Sequence, residues 1–292
     1  MGRGRLPKGW FRATESFEAA LFHGGWGARL AYRLGLQGAV ETRLHALSLP
    51  TAAPSMPPLR IGFASDFHAG PLTDPRLLAR AFESLAAASP HLVLLGGDFI
   101  SFRTDEIDLF CEQVRRLNPP HGIYAVLGNH DLWADDAMIV KRLESAGVRV
   151  LVNENVRLGG PFEALFVCGI DDPVAGDPDP ADTFRGAEGT RILLMHSPGG
   201  LPLLRGYRFD VAFTGHTHGG QIALPGGIPI VLPPGNAGRR YAHGEFKGSN
   251  GQGVLIVSKG VGLSGLPIRL FARSEVHLCT IQWRSQKKEG ML

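Results

Sequence analysis

Cysteine is scarce in this chain, with three in 292 residues. Cys111, Cys168 and Cys279 lie far apart, are odd in number and form no CxxC pair. That excludes a disulfide framework and a thiolate metal site, and points to small core residues in a reducing compartment. Long hydrophobic runs are also missing: none reaches the ~18 apolar residues that cross a bilayer. The first residues, MGRGRLPKGWFRATESF, are basic but lack the apolar stretch of a secretory signal. The expected location is cytoplasmic. Charge is modest, with 20% charged residues, a net charge of +3 and a pI near 8.9. This suits anionic substrates but is too weak to argue for nucleic acid, and no DNA- or RNA-binding motif is present.

What the chain has in quantity is glycine and proline, 39 and 21 residues, which predict long functional loops. Residues 1–58 read as a distinct N-terminal segment and linker. Trp10, Phe11, Phe17, Phe22, Trp26 and Tyr32 alternate there with Arg3, Arg5, Lys8, Arg12, Arg29 and Arg33. Two readings stand. The segment is interfacial, with aromatics dipping into an anionic membrane and cations outside, giving peripheral contact through residues 1–50. Alternatively it is a helix packed on the domain, interrupted by Gly24, Gly25 and Gly27. TAAPSMPP (51–58) reads as a linker.

From residue 59 short apolar runs predict buried strands at 59–65, 91–97, 122–128, 164–170, 191–196 and 210–215. Helical stretches lie between the first of these. At 74–89 Asp74 is the expected N-cap and Pro75 the first helical residue. At 104–117 acids open the helix and arginines close it. At 135–147 a glycine ends it. Strand–helix alternation implies an α/β domain over 59–282, followed by a polar tail at 283–292. Residues 219–253, rich in glycine and proline, read as short strands and loops over a site.

All but one of these strands end in groups that bind metal. SDFH supplies Asp66 and His68, GGD supplies Asp98, GNHD supplies Asn129, His130 and Asp131, LLMH supplies His196, and FTGHTHGGQI supplies His216 and His218. Ligands in α/β sheets gather at carboxyl ends of strands. Each signal alone is weak: DxH is common, GD is usually a turn, and a lone histidine is usually a hydrogen-bonded core residue. The ordered set is far more specific.

This ordered set resembles the calcineurin-like metallophosphoesterase superfamily. GHTHGGQ with VSKGVGLSGLPIRLFARSEVHL (257–278) is similar to its YaeI/YkuE-like bacterial phosphodiesterase subgroup, which is related to UDP-2,3-diacylglucosamine hydrolases. The resemblance implies a four-layer sandwich of two mixed β-sheets flanked by helices, with two metals at one edge. It implies a first ion held by Asp66, His68, Asp98 and His218 and a second by Asp98, Asn129, His196 and His216, with Asp98 shared. Two divalent ions, two carboxylates and a bridging hydroxide leave such a site about one charge positive, which favours a phosphate ester anion. The N and O donors suit Mn²⁺, Fe or Zn²⁺ better than Mg²⁺ alone, with Mn²⁺ the preference.

The implied activity is phosphodiester or pyrophosphate hydrolysis, with a lipid-linked or nucleotide-diphosphate substrate such as UDP-2,3-diacylglucosamine in view. His130 is then the catalytic acid at the leaving oxygen, and Asp131 either orients it or caps the next helix. Arg239, Arg240 and Tyr241 either bind a second phosphate or sit on a solvated loop. One departure matters: GDFISFR has Ser101 where protein phosphatases of the superfamily carry aspartate in GDxVDRG, which argues against phosphoprotein substrates. The competing reading from another class is a non-catalytic scaffold that binds a protein partner. Such proteins lose ligands or the catalytic histidine, and this chain keeps both.

Overall fold

The computed structural model describes residues 3–5, 9–51, 56–233, 239–248 and 253–285. Lys8, residues 52–55 of the expected linker, residues 286–292 of the expected tail and the side chains of Trp10, Phe11 and Arg12 lie outside the described residues.

The helices are α1 (Gly9–Leu21), α2 (Trp26–Arg33), α3 (Pro75–Ala87), α4 (Ile107–Val114), α5 (Asn129–Trp133), α6 (Asp136–Ser145) and α7 (Pro180–Thr183). The strands are β1 (Glu41–Thr51), β2 (Leu59–Ala64), β3 (Leu92–Leu95), β4 (Ile123–Ala125), β5 (Val148–Val150), β6 (Glu154–Arg157), β7 (Leu165–Gly169), β8 (Thr190–Leu194) and β9 (Val211–Thr214). They continue with β10 (Ala223–Leu224), β11 (Ile228–Pro229), β12 (Gly244–Lys247), β13 (Val254–Val257) and β14 (Glu275–Ser285).

Two six-stranded mixed sheets result, in orders β1-β14-β2-β3-β4-β5 and β12-β13-β9-β8-β7-β6. The centre of each is parallel; the first carries one antiparallel pairing, β14 with β2, and the second carries two, β12 with β13 and β6 with β7, at its edges. Each of the six expected apolar runs contains a strand, because a strand buried on both faces needs consecutive rather than alternating apolar residues. The inner layer joins the sheets: Leu59, Ile61, Phe63, Leu92 and Leu94 of the first meet Val167, Ile192, Leu194, Val211 and Phe213 of the second. Burying one such side chain contributes about 1.5–3 kcal/mol. Phe63 and Phe213 touch across this layer, with ring centroids 5.2 Å apart. The outer face of the first sheet is covered through Leu77, Phe82, Phe110 and Ile139 of α3, α4 and α6. All three cysteines are buried and free.

The helix signals act as expected. The Asp74 side chain accepts from the Arg76 amide and the Asp135 side chain from the Met138 amide, each satisfying an otherwise orphan donor. The stretch at 104–117 is shorter than expected: one turn of 3₁₀ helix at Thr104–Glu106 leads into α4.

The N-terminal segment departs from expectation in one respect. Residues 41–51 form β1, an edge strand running parallel to β14. Leu47 and Leu49 are buried between the sheets, so the strand belongs to the domain and not to a separate segment. Ahead of it, α1 and α2 are separated by Gly24 and Gly25, both in the left-handed region. Phe22, Ala28 and Ala31 are buried. Gln37 pins the segment down: its Nε2 donates to the carbonyls of Leu72 (2.8 Å) and Pro267 (3.2 Å), and its Oε1 accepts from Asp74 N (3.0 Å). The helices therefore pack on the domain, while Phe17, Leu21, Trp26, Leu30 and Leu34 of the same segment stay exposed. Among the described residues no helix is long and apolar enough to cross a membrane.

Docking of β1 makes a direct prediction. Leu49→Ala should lower the unfolding free energy by about 2–5 kcal/mol in a urea titration. A change under about 0.5 kcal/mol would mean that the strand is not docked as described.

Candidate metal centre

The site forms where strand ends of both sheets meet. The residues after β2, β3 and β4 supply Asp66, His68, Asp98 and Asn129, and those after β8 and β9 supply His196, His216 and His218. Strand pairing brings the ends within each sheet together, since β2, β3 and β4 are neighbours, as are β8 and β9, and the packed layer between the sheets brings the two groups face to face.

All seven side chains converge. The ligand atoms of Asp66, His68 and His218 lie within 4.8 Å of one another, as do those of Asp98, His196 and His216. Asn129 Oδ1 is 3.2 Å from His196 Nε2. Asp98 stands between the groups: its Oδ2 is 3.6 Å from His68 Nε2 and 3.3 Å from His196 Nε2. Its Oδ1 accepts from the His130 amide at 2.9 Å. The two sheets are also tied at this point directly. His196 Nδ1 donates to the Gly96 carbonyl at 2.7 Å, which turns its Nε2 toward the cluster. The His216 amide donates to Asp66 Oδ1 at 2.9 Å.

Three features fit this cluster to cations. The first is its spacing. His68 Nε2 is 3.1 Å from His218 Nε2, and His196 Nε2 is 3.2 Å from His216 Nδ1. Two nitrogens bound at ~2.1 Å to one ion take a similar separation. The second is backbone strain. Among the described residues nine non-glycine residues have positive φ, and five of them are Asp66, His68, Asp98, His216 and His218. Non-glycine residues in this region are uncommon, and their clustering at a single point indicates that ligand geometry overrides local preference. The third is close backbone approach. A Cβ at Gly128 would strike the Asp98 carboxylate, and one at Gly215 would strike Asp66 and Ser65. The glycines in GNHD and GHTH therefore make room for carboxylates.

The chain belongs to the calcineurin-like phosphoesterases. The family model of that description matches residues 59–220. Phosphodiesterase YaeI of Escherichia coli (strain K12) is 31% identical over 75% of this chain and 80% of its own. The uncharacterized metallophosphoesterase YkuE of Bacillus subtilis (strain 168) is 27% identical over 97% of this chain and 98% of its own. An uncharacterized metallophosphoesterase of Helicobacter pylori (strain J99 / ATCC 700824) is 30% identical over 75% of this chain, which spans only 58% of that relative. The mixed two-sheet sandwich is the fold of that family.

The remaining candidates fall in different places. One ring nitrogen of His130 lies within 4.8 Å of the ligand atoms of His68 and Asp98. Its Nδ1 is 3.0 Å from the Ser101 carbonyl, an acceptor, so Nδ1 carries the proton. Asp131 does not orient this ring. Its Oδ1 accepts from the Phe99 amide and its Oδ2 from the Gly128 amide, both at 2.9 Å, so it ties the GD loop to the start of α5. That is the capping alternative. Tyr241 is edge-on to Phe246 in a cluster on the outer face of the second sheet, and the Arg240 guanidinium lies over the Tyr241 ring. Arg239 and Arg240 are exposed. Their segment reaches the centre through its backbone: the Thr217 hydroxyl donates to the Ala242 carbonyl at 2.5 Å.

Three participants had not been singled out. Glu15 of α1 places Oε1 3.4 Å from His130 Nδ1. Nothing short-range in the sequence connects positions 15 and 130. Asp172, in the DD pair just after β7, is buried with Oδ1 unpartnered among the described residues, and its carboxyl is pushed up to about 6 chiefly by burial. That pair was the available signal, since β7 was the strand assigned no metal-binding end. Arg269, within LPIRLF, is buried and donates to the carbonyls of Gly262 (2.6 Å), Lys259 (2.8 Å) and Ala272 (2.9 Å), tying together the loops behind His218.

Burial also sets protonation. It holds His68 and His216 down at about 3, with repulsion from His130 and from His196 respectively adding to it, so both rings are neutral and ready to coordinate. It pushes Asp66 up to about 6; His196 pulls this carboxyl down and Asp98 pushes it back up. A cation must therefore displace a proton from Asp66 below about pH 6, and a second from His196, where burial lowers the pKa but Asp98 more than offsets it and raises it above the ordinary histidine value; each displaced proton weakens affinity about tenfold per pH unit. Mn²⁺ affinity by calorimetry should be at least about tenfold weaker at pH 5 than at pH 7.5. Equal affinities would contradict the assignment of Asp66.

Proposed function

We propose that the protein is a dimetal phosphodiesterase or pyrophosphatase acting on an anionic ester, with a lipid-linked or nucleotide-diphosphate compound such as UDP-2,3-diacylglucosamine as the substrate class. The observation that carries this reading is the pair of N/O clusters flanking Asp98. The YaeI relative, a phosphodiesterase, supports it. Two divalent ions held there, Mn²⁺ by preference, would activate a shared water and draw electrons from the phosphoryl oxygens. The chain's own residues do the rest. Asp98 holds the two halves at fixed spacing and also fixes the His130 backbone. The Ser101 carbonyl holds one proton on His130 Nδ1, so Nε2 is the atom that takes up a second proton and, from the doubly protonated ring, hands it to the leaving oxygen. Retention of His130 beside all seven ligands disfavours the scaffold reading.

The purified protein should hydrolyse bis-p-nitrophenyl phosphate with Mn²⁺ and stop when a chelator is added. His130→Ala should keep near-normal metal content by mass spectrometry yet lose about 10²–10⁴-fold in kcat. No turnover with any divalent ion would favour a scaffold, and collapse of metal content would reassign His130 as a ligand.

Peripheral membrane contact belongs to the same reading. Phe17, Leu21, Trp26, Leu30 and Leu34 of the N-terminal helices are exposed, as are Leu266 and Phe271 on a loop that neighbours them. Gly27 of α2 lies against Pro267, so these apolar groups border one another. An apolar surface of this kind on an interfacial helix, with Arg29 and Arg33 beside it, suits an anionic bilayer. Phe17→Asp with Leu30→Asp should reduce sedimentation with phosphatidylglycerol vesicles at least about fivefold at unchanged circular dichroism, since apolar burial supplies most of such binding. Unaltered sedimentation would remove the membrane from the account.

A further inference from the structure

Between His218 and Arg239 the chain carries no charged residue. Part of that stretch forms the two-stranded hairpin β10–β11, turned by Gly226 and Gly227 in the left-handed region. Its aliphatic side chains face water: Leu224, Ile228, Ile230 and Val231 are between 51% and 69% exposed. Turns that meet only water carry polar residues, so an uncharged aliphatic hairpin marks a surface that meets something apolar. Its backbone suits the same end. The amides of Ile222, Ala223, Gly227 and Ile230 donate to carbonyls of the protein, and Pro225 and Pro229 have no amide to leave unpaired. Such a hairpin enters an apolar phase at reduced polar cost.

The hairpin grows directly out of the metal centre. Residues His218–Gly220 form one turn of 3₁₀ helix, and a Cβ at Gly220 would strike Pro229, so the hairpin folds back against the residues that follow the ligand. A second loop joins it. The Gln221 side-chain amide donates to the Ser264 and Leu266 carbonyls, and the Ala223 amide to the Leu270 carbonyl, all at 2.9 Å. Arg269 of that loop places its guanidinium 3.3 Å from His218 Nδ1. Leu270 and Phe271 are exposed beside the hairpin, where both pair with Ile222. On its other side the loop meets the N-terminal segment: Pro267 lies against Gly27, and the Arg269 amide donates to the Leu36 carbonyl at 2.7 Å. The exposed apolar groups therefore run from the N-terminal helices, over this loop, to the hairpin beside His218. Glu18, partly buried, borders the loop at Gly265, and the next charged residues after the hairpin are the exposed Arg239 and Arg240.

We infer that the β10–β11 hairpin, with Leu270 and Phe271, inserts into a lipid bilayer and holds the metal centre at the membrane surface. Two observations favour a bilayer over a folded partner. The surface continues the apolar face of the N-terminal helices, and it is built from three separate elements instead of one groove. The hairpin also combines an uncharged aliphatic tip with exposed arginines at its exit, which places the tip in hydrocarbon and the cations among anionic headgroups. The second half of the inference rests on the hydrolase reading: a lipid-linked ester is cleaved with its chains still in the bilayer, at a centre three residues from the inserted element.

All three native cysteines are buried, so Ile228→Cys in the full chain takes a nitrobenzoxadiazole label selectively. On phosphatidylglycerol vesicles this label should shift to the blue and brighten at least about twofold, as a probe does on leaving water. A label at Ala87→Cys, exposed at the end of α3 that leads into the start of β3 and so opposite the metal centre, should not change. Ile228→Asp with Ile230→Asp should cut sedimentation with the same vesicles at least about fivefold although α1 and α2 are unaltered. With Mn²⁺ it should lower hydrolysis of vesicle-borne hexadecyl p-nitrophenyl phosphate in proportion and leave hydrolysis of soluble bis-p-nitrophenyl phosphate unchanged. An unshifted label on chains that sediment overturns the inference and leaves membrane contact to the N-terminal helices alone. A shifted label with hydrolysis of the hexadecyl ester indifferent to the double substitution overturns the placement of the centre. A shifted label on a protein that hydrolyses no phosphoester with any divalent ion ends the hydrolase reading and leaves the inserted hairpin standing. If the double substitution misfolds, the label decides.

Discussion

Asp98 is the constraint on which the centre depends. One oxygen receives the His130 amide, and the other faces both His68 and His196. A carboxylate buried this deeply is costly unless cations or donors surround it. Burial pushes its pKa up, but His196, His130 and His68 outweigh that and hold it well below the ordinary carboxylate range. A charged Asp98 keeps two histidine groups at a spacing that neither sheet would hold alone. Gly128 exists in that position because any side chain would collide with this carboxylate.

The sandwich around it serves the same end. Phe63 and Phe213 press the sheets together below the centre, while the His196–Gly96 and His216–Asp66 hydrogen bonds close them above it. The apolar layer supplies the free energy that offsets five residues in strained backbone conformations, each costing on the order of 1–3 kcal/mol. The strain is thereby confined to the loops, and the strands beneath remain regular. A pre-formed cluster also avoids the ordering entropy that each side chain would lose on meeting a cation.

The N-terminal segment is joined to the centre as well. β1 belongs to the first sheet, Gln37 bonds to Leu72, Pro267 and Asp74, and α1 lays Glu15 against His130. The same helices leave an apolar face open.

The sequence by itself determined the strands and the order of the candidate residues. Consecutive apolar residues ending in DFH, GGD, GNHD, LLMH and GHTH bury a strand and expose a polar turn, so the seven candidates could be picked out from local pattern alone. Local chemistry likewise determined Asp74 as a cap. Tertiary structure decided whatever depends on partners distant in the chain. The role of Asp131 turned on which amides came within reach, and those belong to Phe99 and Gly128. Tyr241 was drawn into an apolar cluster by Phe246, although its backbone neighbour Ala242 touches Thr217 in the centre. Glu15 reached His130 only because β1 and Gln37 dock the segment that carries it. Periodicity records which face of an element is buried, but not which distant element will cover it.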